Sequence, residues 1–467
     1  MKAFRLLING TLVEGDATMP VINPATEEVI AECPRASERQ LNQAVAAAKA
    51  AFPSWAAMPI SERRAMLMQV AERVEAHADE LSRILTAEQG KPLSEAKREA
   101  LGLAAFFRIL GSFELPKRVI ENSEKRRVEA YRRPLGVVAA IVPWNYPLAI
   151  AGMKMPAALI AGNTVVLKPA ATTPLATLRF AELVADLLPP GVLNVIADAN
   201  DLGHLLSAHP DVRKVSFTGS TETGKRVMAG AASTLKRLTL ELGGNDAAIV
   251  LDDVDPKTVA PAIFDAAFRN SGQVCVAIKR LYVQEPVYDE ICDQLATIAA
   301  NTVVDEGTKQ GVKLGPLQNK QQFEKVKSLL EDAHKHGKVI AGGKAMDRPG
   351  YFIEPTIVRD IREGCRLVDE EQFGPILPVI KFSDVEDALR RANGTAYGLG
   401  ASVWSANSAR AQAVAERLEA GTVWINKHHD LSPTIPFGGA KHSGFGVEFA
   451  EEGLAEFTQL QIINAAV

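Results

Sequence analysis

The chain has 467 residues, with 52 Lys and Arg against 56 Asp and Glu and a formal net charge of −4. At roughly 100–200 residues per domain this length implies two to four units, and 47% hydrophobic with 23% charged residues excludes a largely disordered chain. No Lys/Arg block supplies the clustered positive charge that phosphate backbones require, so nucleic acid is excluded as a partner.

The four cysteines (Cys33, Cys275, Cys292, Cys365) form no C-x-x-C pair, and the eight histidines contain no H-E-x-x-H. Neither a disulfide framework nor a metal site is expected. The opening MKAFRLLING reads as a strand and turn, not a signal peptide, and a reducing cytoplasm is the expected compartment.

Residues 1–112 read as mostly helical, with Ala-rich amphipathic stretches at 37–51 and 61–88. Residues 118–135 alternate in the manner of an exposed hairpin. The stretch 139–162 is apolar enough to resemble a membrane span, but it holds Pro143, Pro147, Pro156, Asn145 and Lys154. A buried strand, loop and helix accounts for it better, and no membrane association is expected. From 136 onward, strands are expected at 136–142, 164–168, 193–196, 215–217 and 238–242. Helices fall between them at 148–161, 174–188, 201–208 and 221–232. Continuous apolar strands, each followed by a helix, require a parallel sheet covered on both faces. A second series has strands at 247–251, 279–284, 376–382, 400–404 and 421–425. Its helices are at 256–270, 287–301, 319–336, 384–392 and 407–417. Gly243-Gly244 joins the two series, and 457–467 reads as a terminal strand. The fold class is therefore α/β, with two doubly wound Rossmann-like domains plus a small β flap. An isolated hairpin is marginal in water, so the flap is expected to pair with another subunit.

Three features carry chemistry. In FTGSTETG (217–224) a strand ends at Gly219 and a helix opens after Ser220, which suits a pyrophosphate but equally suits plain capping. Cys275, in FRNSGQVC (268–275), follows a small polar run where a core strand would be apolar; a thiolate there is a strong nucleophile. A buried cysteine is the plainer alternative, and it is the reading for Cys33, Cys292 and Cys365. Glu241, in LELGG (240–244), is either a solvated strand end or a carboxylate facing a cleft lined closely by backbone.

In combination, PWNYP (143–147), LKPA (167–170), FTGST (217–221), LELGG, FRNSGQVC, EQFGP (371–375) and PFGG (436–439) occur in an order and spacing that resembles the aldehyde dehydrogenase superfamily. The match runs from ING (8–10) to the terminal strand. The resemblance implies NAD(P)-dependent oxidation of a small-molecule aldehyde to a carboxylic acid. Cys275 would attack the carbonyl, and the Asn145 amide with the Cys275 backbone N–H would hold the oxyanion. Glu241 would activate the water that releases the thioester, and Lys154 would support the thiolate. For the cofactor it implies Lys168 at the adenosine ribose, Gly219 and Ser220 at the pyrophosphate, Glu371 at the nicotinamide ribose, Phe373 at the nicotinamide ring and Trp144 on the adenosine side. It implies a dinucleotide-binding domain at 1–117 and 136–243 and a catalytic domain at 244–440. Residues 118–135 and 441–467 would form the oligomerisation elements of a homodimer or homotetramer.

One position departs from the family pattern. Many NAD-preferring members carry a glutamate three places after the lysine, where Ala171 stands here, so NAD or NADP is expected without strict selectivity. Glu241 favours hydrolysis over transfer to coenzyme A. The resemblance implies that the positions nearest the acyl chain are Tyr146, Met153, Val274, Val276, His429, Leu431 and Phe437. They are mostly apolar, with no arginine clamp evident, and imply a medium-sized aliphatic or aromatic aldehyde. The competing readings are a catalytically silent binding protein on the same scaffold and acyl-transfer or esterase activity through Cys275. No G-x-S-x-G elbow supports the latter.

Overall fold

A computed structural model describes residues 4–467. Its largest sheet has eight strands in the spatial order Thr11–Val13, Leu6–Ile8, Leu193–Val195, Thr164–Lys168, Val137–Ile141, Val212–Thr218, Arg237–Glu241 and Gly444–Phe445. The five from Leu193–Val195 to Arg237–Glu241 are parallel. Val137–Ile141 and Thr164–Lys168 are buried along their whole length, as a sheet covered on both faces demands. From Val137–Ile141 the chain builds outward to one side, then returns to place Val212–Thr218 on the other. That reversal opens a crevice at the carboxyl ends of the two strands, where Pro143-Trp144-Asn145 and Gly219-Ser220 emerge.

The helix Pro147–Ile160 explains the apolar stretch noted above. Every residue but Ala149 and Met153 is buried, because it packs within the core beneath this sheet. Among the described residues no helix is long and apolar enough to cross a membrane.

The second sheet runs Lys338–Ala341, Thr356–Arg359, Ile376–Phe382, Ile278–Gln284, Asp246–Val250, Gly400–Trp404 and Thr422–Ile425. All neighbours are parallel except the first pair. Gly243 and Gly244 connect the carboxyl end of Arg237–Glu241 to the amino end of Asp246–Val250. A third, antiparallel sheet pairs Thr458–Ala466 with Arg126–Pro134 and Arg118–Asn122.

One expectation needs correction: residues 4–35 are not helical. Leu6–Ile8 and Thr11–Val13 join the large sheet, and Ala17–Ile22 pairs with Val29–Arg35 as a hairpin. Helix begins only where Ser37 and Gln40 form a reciprocal capping box, and the 61–88 stretch breaks at His77 into Ile60–Ala76 and Ala78–Gln89. The terminal strand is Thr458–Ala466, preceded by Gly444–Phe445, which pairs with Arg237–Glu241, and by the helix Ala450–Glu456.

Candidate active site

The approach to Cys275 is a strained turn. After the helix Pro256–Phe268, the backbone passes through left-handed conformations at Asn270 (φ 49°), Ser271 (φ 56°) and Gly272 (φ 73°). Such positions cost about 1–3 kcal/mol each for residues with side chains and persist only where surroundings hold them. Here Asn270 Nδ2 donates to Asn145 O at 3.1 Å, and Ser271 Oγ to Gly315 O at 2.7 Å. The small polar run before the cysteine is thus the requirement of this turn. At Gly272 a Cβ would lie 2.2 Å from Gly374 O, within the EQFGP segment. Gly272→Ala is therefore expected to cost about 3 kcal/mol or more and to reduce turnover steeply. Thermal unfolding together with a rate assay checks this, and a wild-type profile in both would contradict it.

Cys275 lines two cavities at once. The first, of about 760 Å³, lies in the crevice of the large sheet and is bounded by Trp144, Asn145, Gly219, Ser220, Glu371 and Phe373 among others. The second, of about 660 Å³, is bounded by all seven residues expected near the acyl chain: Tyr146, Met153, Val274, Val276, His429, Leu431 and Phe437. Asn145, Ile150, Thr218 and Cys275 border both. Cys33, Cys292 and Cys365 are buried.

Around the thiol the charges are arranged against ionisation. Burial pushes it up to about 12; Lys279 opposes this, while Glu241, Glu371 and Asp246 add to it. Asn145 lies beside it, with Nδ2 donating to Gln273 O at 3.0 Å, which leaves the amide a second N–H. The Asn145 carbonyl accepts from Lys91 Nζ at 2.8 Å, and that ammonium also pairs with Glu99 and sits 3.6 Å from the centre of the Tyr146 ring. Glu99 Oε1 in turn accepts from the N–H groups of Leu148 and Ala149 at the helix start.

Glu241 lines the second cavity at the end of its strand, buried, with neither carboxylate oxygen hydrogen-bonded. Burial and the nearby Glu448 carboxylate hold its carboxyl well above the usual range, against the pull of Lys154. The structure places Lys154 differently from the expectation. Its ammonium donates to Glu448 Oε1 at 2.8 Å and Ser216 Oγ at 2.9 Å, so its charge bears on the two glutamates, and the cation bearing on the thiol is Lys279.

On the cofactor side, Ser220 caps its helix, with Oγ accepting from Thr223 N at 3.3 Å. Glu371 Oε1 accepts from Gly244 N at 3.0 Å. Trp144 stands edge-on to Phe373 with ring centres 5.4 Å apart, so it belongs beside Phe373 and not toward the far end of the crevice. Lys168 does not border the crevice: it is buried, paired with Asp198, whose other oxygen accepts from Leu202 N at 2.7 Å.

The acyl-side reading also missed residues. Phe106 and Phe449, stacked at 5.5 Å, join the apolar wall, and Arg269 borders the same cavity. That guanidinium is bound to Asp265 at 2.7 Å and lies 3.4 Å from His429 Nδ1. His429 is held down to about 3 by burial and the Arg269 charge, so it is neutral. The helical spacing of Asp265 and Arg269, four apart, was the available signal for their pairing.

A dinucleotide-type crevice and an apolar pocket that meet at one thiol are the parts of a cofactor-dependent enzyme working through a covalent intermediate. Residues 12–463 match the Aldehyde dehydrogenase family. The phenylacetaldehyde dehydrogenase of Pseudomonas fluorescens is 40% identical over 475 residues, covering 97% of this chain and 94% of that one. Among solved structures, an Escherichia coli NADP-dependent enzyme is 36% identical with a TM-score of 0.97, covering 100% of this chain and 98% of that chain. PnpE in complex with nicotinamide adenine dinucleotide is 37% identical with a TM-score of 0.97 and the same coverage. The chain belongs to the aldehyde dehydrogenase family. It is an NAD(P)-dependent oxidoreductase acting on the aldehyde group.

Proposed function

We propose that Cys275 is the nucleophile of this enzyme and Glu241 its deacylating base, acting on a medium-sized aliphatic or aromatic aldehyde. The observation that carries this reading is the position of Cys275 at the junction of the two cavities. The first cavity fits a dinucleotide: it lies at the reversal of strand order, Gly219 brings bare backbone to its edge, and the helix from Thr221 presents its amino end there. Gly219 and Ser220 would hold the pyrophosphate, Glu371 a ribose, and Trp144 and Phe373 the nicotinamide end. Bound NAD or NADP supplies the hydride acceptor.

The Cys275 sulfur adds to the aldehyde carbon, and its proton leaves to solvent. The oxyanion is taken by the free N–H of the Asn145 amide and the Cys275 backbone N–H. Loss of hydride from the thiohemiacetal carbon leaves a thioester on Cys275. Glu241 removes a proton from water as it attacks the acyl carbon, and the acid departs with the thiol restored. Lys154 steadies the charge that Glu241 carries, against the repulsion of Glu448.

Ala171 leaves no carboxylate against a 2′-phosphate, and Lys168 is compensated by Asp198, so both cofactors are accepted. Phe106, Phe437 and Phe449 favour an apolar tail, and the Arg269 charge is already met by Asp265. The 1–117 and 136–243 segments form the dinucleotide-binding unit and 244–440 the catalytic one. The exposed Val119, Ile120, Leu460, Ile462 and Ile463 on the three-stranded sheet support a homodimer or homotetramer. Four unpaired thiols suit a reducing cytoplasm.

An aldehyde panel, followed by the near-ultraviolet absorbance of reduced nicotinamide with NAD and NADP in parallel, tests this. Arylalkyl and medium-chain aldehydes are expected to exceed ω-carboxylated ones by about tenfold or more in kcat/KM. Preference for the carboxylated aldehydes would shift the substrate class toward an Arg269-bound anion, and no reduced cofactor with any aldehyde would overturn the reading.

A further inference from the structure

Lys279 has no part in the reading above, yet its side chain is buried against the backbone of the nucleophile loop. Nζ donates to Val274 O at 2.8 Å and to Cys275 O at 2.5 Å, so one side chain satisfies two carbonyls of the nucleophile loop. The same ammonium lies 3.6 Å from Glu371 Oε1 and 5.9 Å from the centre of the Phe373 ring. Its backbone is tied to the same segment, since Gln372 Nε2 donates to Lys279 O at 2.9 Å. A single residue therefore fastens the cysteine loop to the wall of the dinucleotide crevice, by side chain on one side and main chain on the other.

Burying an ammonium is costly unless it is paired and hydrogen-bonded, and a neutral donor could satisfy a carbonyl without that cost. The charge needs its own account. Of the charged groups facing the Cys275 thiol, Glu241, Glu371 and Asp246 are carboxylates, and Lys279 is the cation opposing them. As the thiol loses its proton, negative charge appears on a sulfur whose other charged neighbours are anions. The ammonium is placed to offset it.

We propose that Lys279 is a positioning residue of this enzyme: it holds the Cys275 loop in register with Glu371 and Phe373 and supplies the positive charge that lets the sulfur act as a nucleophile. This rests on the assignment of Cys275 as the nucleophile. Lysine is required for both parts. A methionine of similar length fills the space but removes charge and donors, a glutamine keeps donors without charge, and an arginine keeps the charge with a different reach.

The test is the pH dependence of Cys275 alkylation by iodoacetamide, a neutral reagent, in wild type, Lys279→Met, Lys279→Gln and Lys279→Arg, with the labelled peptide identified by mass. In the Met and Gln variants the profile is expected to move about one pH unit higher, so that labelling at neutral pH slows about tenfold. Lys279→Arg is expected to stay within about threefold of wild type. Superimposable profiles for a folded Met or Gln variant and wild type would overturn the proposal and leave Lys279 a purely structural tie. If Met does not fold, the Gln variant carries the same comparison. A different failure would reach the underlying assignment: wild-type dehydrogenase activity surviving complete alkylation of Cys275 would remove the nucleophile itself, whatever the Lys279 variants do.

Discussion

Cys275→Ala is expected to lower aldehyde-dependent formation of reduced cofactor by about a thousandfold or more while leaving cofactor binding near wild type. The loss is chemical, because alanine cannot form the covalent intermediate. The surrounding turn is held by other residues: Asn270 by its bond to the Asn145 carbonyl, Ser271 by its bond to Gly315 O, and Gly272 by its fit against Gly374. The other cysteines provide the contrast. Cys33, Cys292 and Cys365 are buried among apolar groups, so their alanine variants should lose stability and keep turnover per folded molecule. Measuring kcat, a cofactor titration and the thermal midpoint on all four separates these outcomes. Wild-type turnover by Cys275→Ala would remove the covalent mechanism. The pH dependence follows with its sign. A thiol pushed up to about 12 is protonated at neutral pH, and its thiolate fraction rises about tenfold per pH unit below that value, so acylation accelerates with rising pH.

Glu241→Gln is expected to divide the reaction in two. The first turnover should proceed and give a burst of reduced cofactor close to one per site, since glutamine leaves Cys275, Asn145 and the crevice in place. Steady-state turnover should then fall by about 10²–10⁴, the usual contribution of a positioned general base. The unpartnered oxygens of Glu241 are what make the substitution informative, because no hydrogen bond within the protein is lost with the charge. In wild type the carboxyl is held above its usual range by burial and by Glu448, so deacylation, like acylation, should speed up with rising pH. Undiminished steady-state turnover in the variant would remove Glu241 as the base.

Much of this arrangement is legible in the sequence, and its limits have physical causes. The parallel strands are legible because burial on both faces leaves continuous apolar runs such as VVAAI and TVVLK, and the helix Pro147–Ile160 because its prolines and lysine exclude lipid. The hairpin Ala17–Ile22 with Val29–Arg35 leaves no such run, since Pro20 and Pro34 interrupt it and only four of its thirteen residues are fully buried. Cys275 and the residues expected near the acyl chain are singled out by the family motifs, and the second cavity is lined by all of them. What fails is the assignment of charged side chains to partners. Lys154 meets Glu448 across 294 residues and Lys168 meets Asp198 across 30, distances over which neither periodicity nor a motif marks a pair. Lys279 is four residues from the cysteine and still was missed, because a lysine at the start of a strand reads as solvated until the fold closes Glu371 over it.

The account turns on an acyl group passing through one sulfur, and the most direct measurement is the intact mass and peptide map of Glu241→Gln after mixing with aldehyde and oxidised cofactor. A species heavier by the mass of the aldehyde less two hydrogens, localised to the peptide containing Cys275 and discharged by hydroxylamine, is the predicted result. Acid product accumulating in wild type while no adduct forms on that peptide in the variant would contradict it.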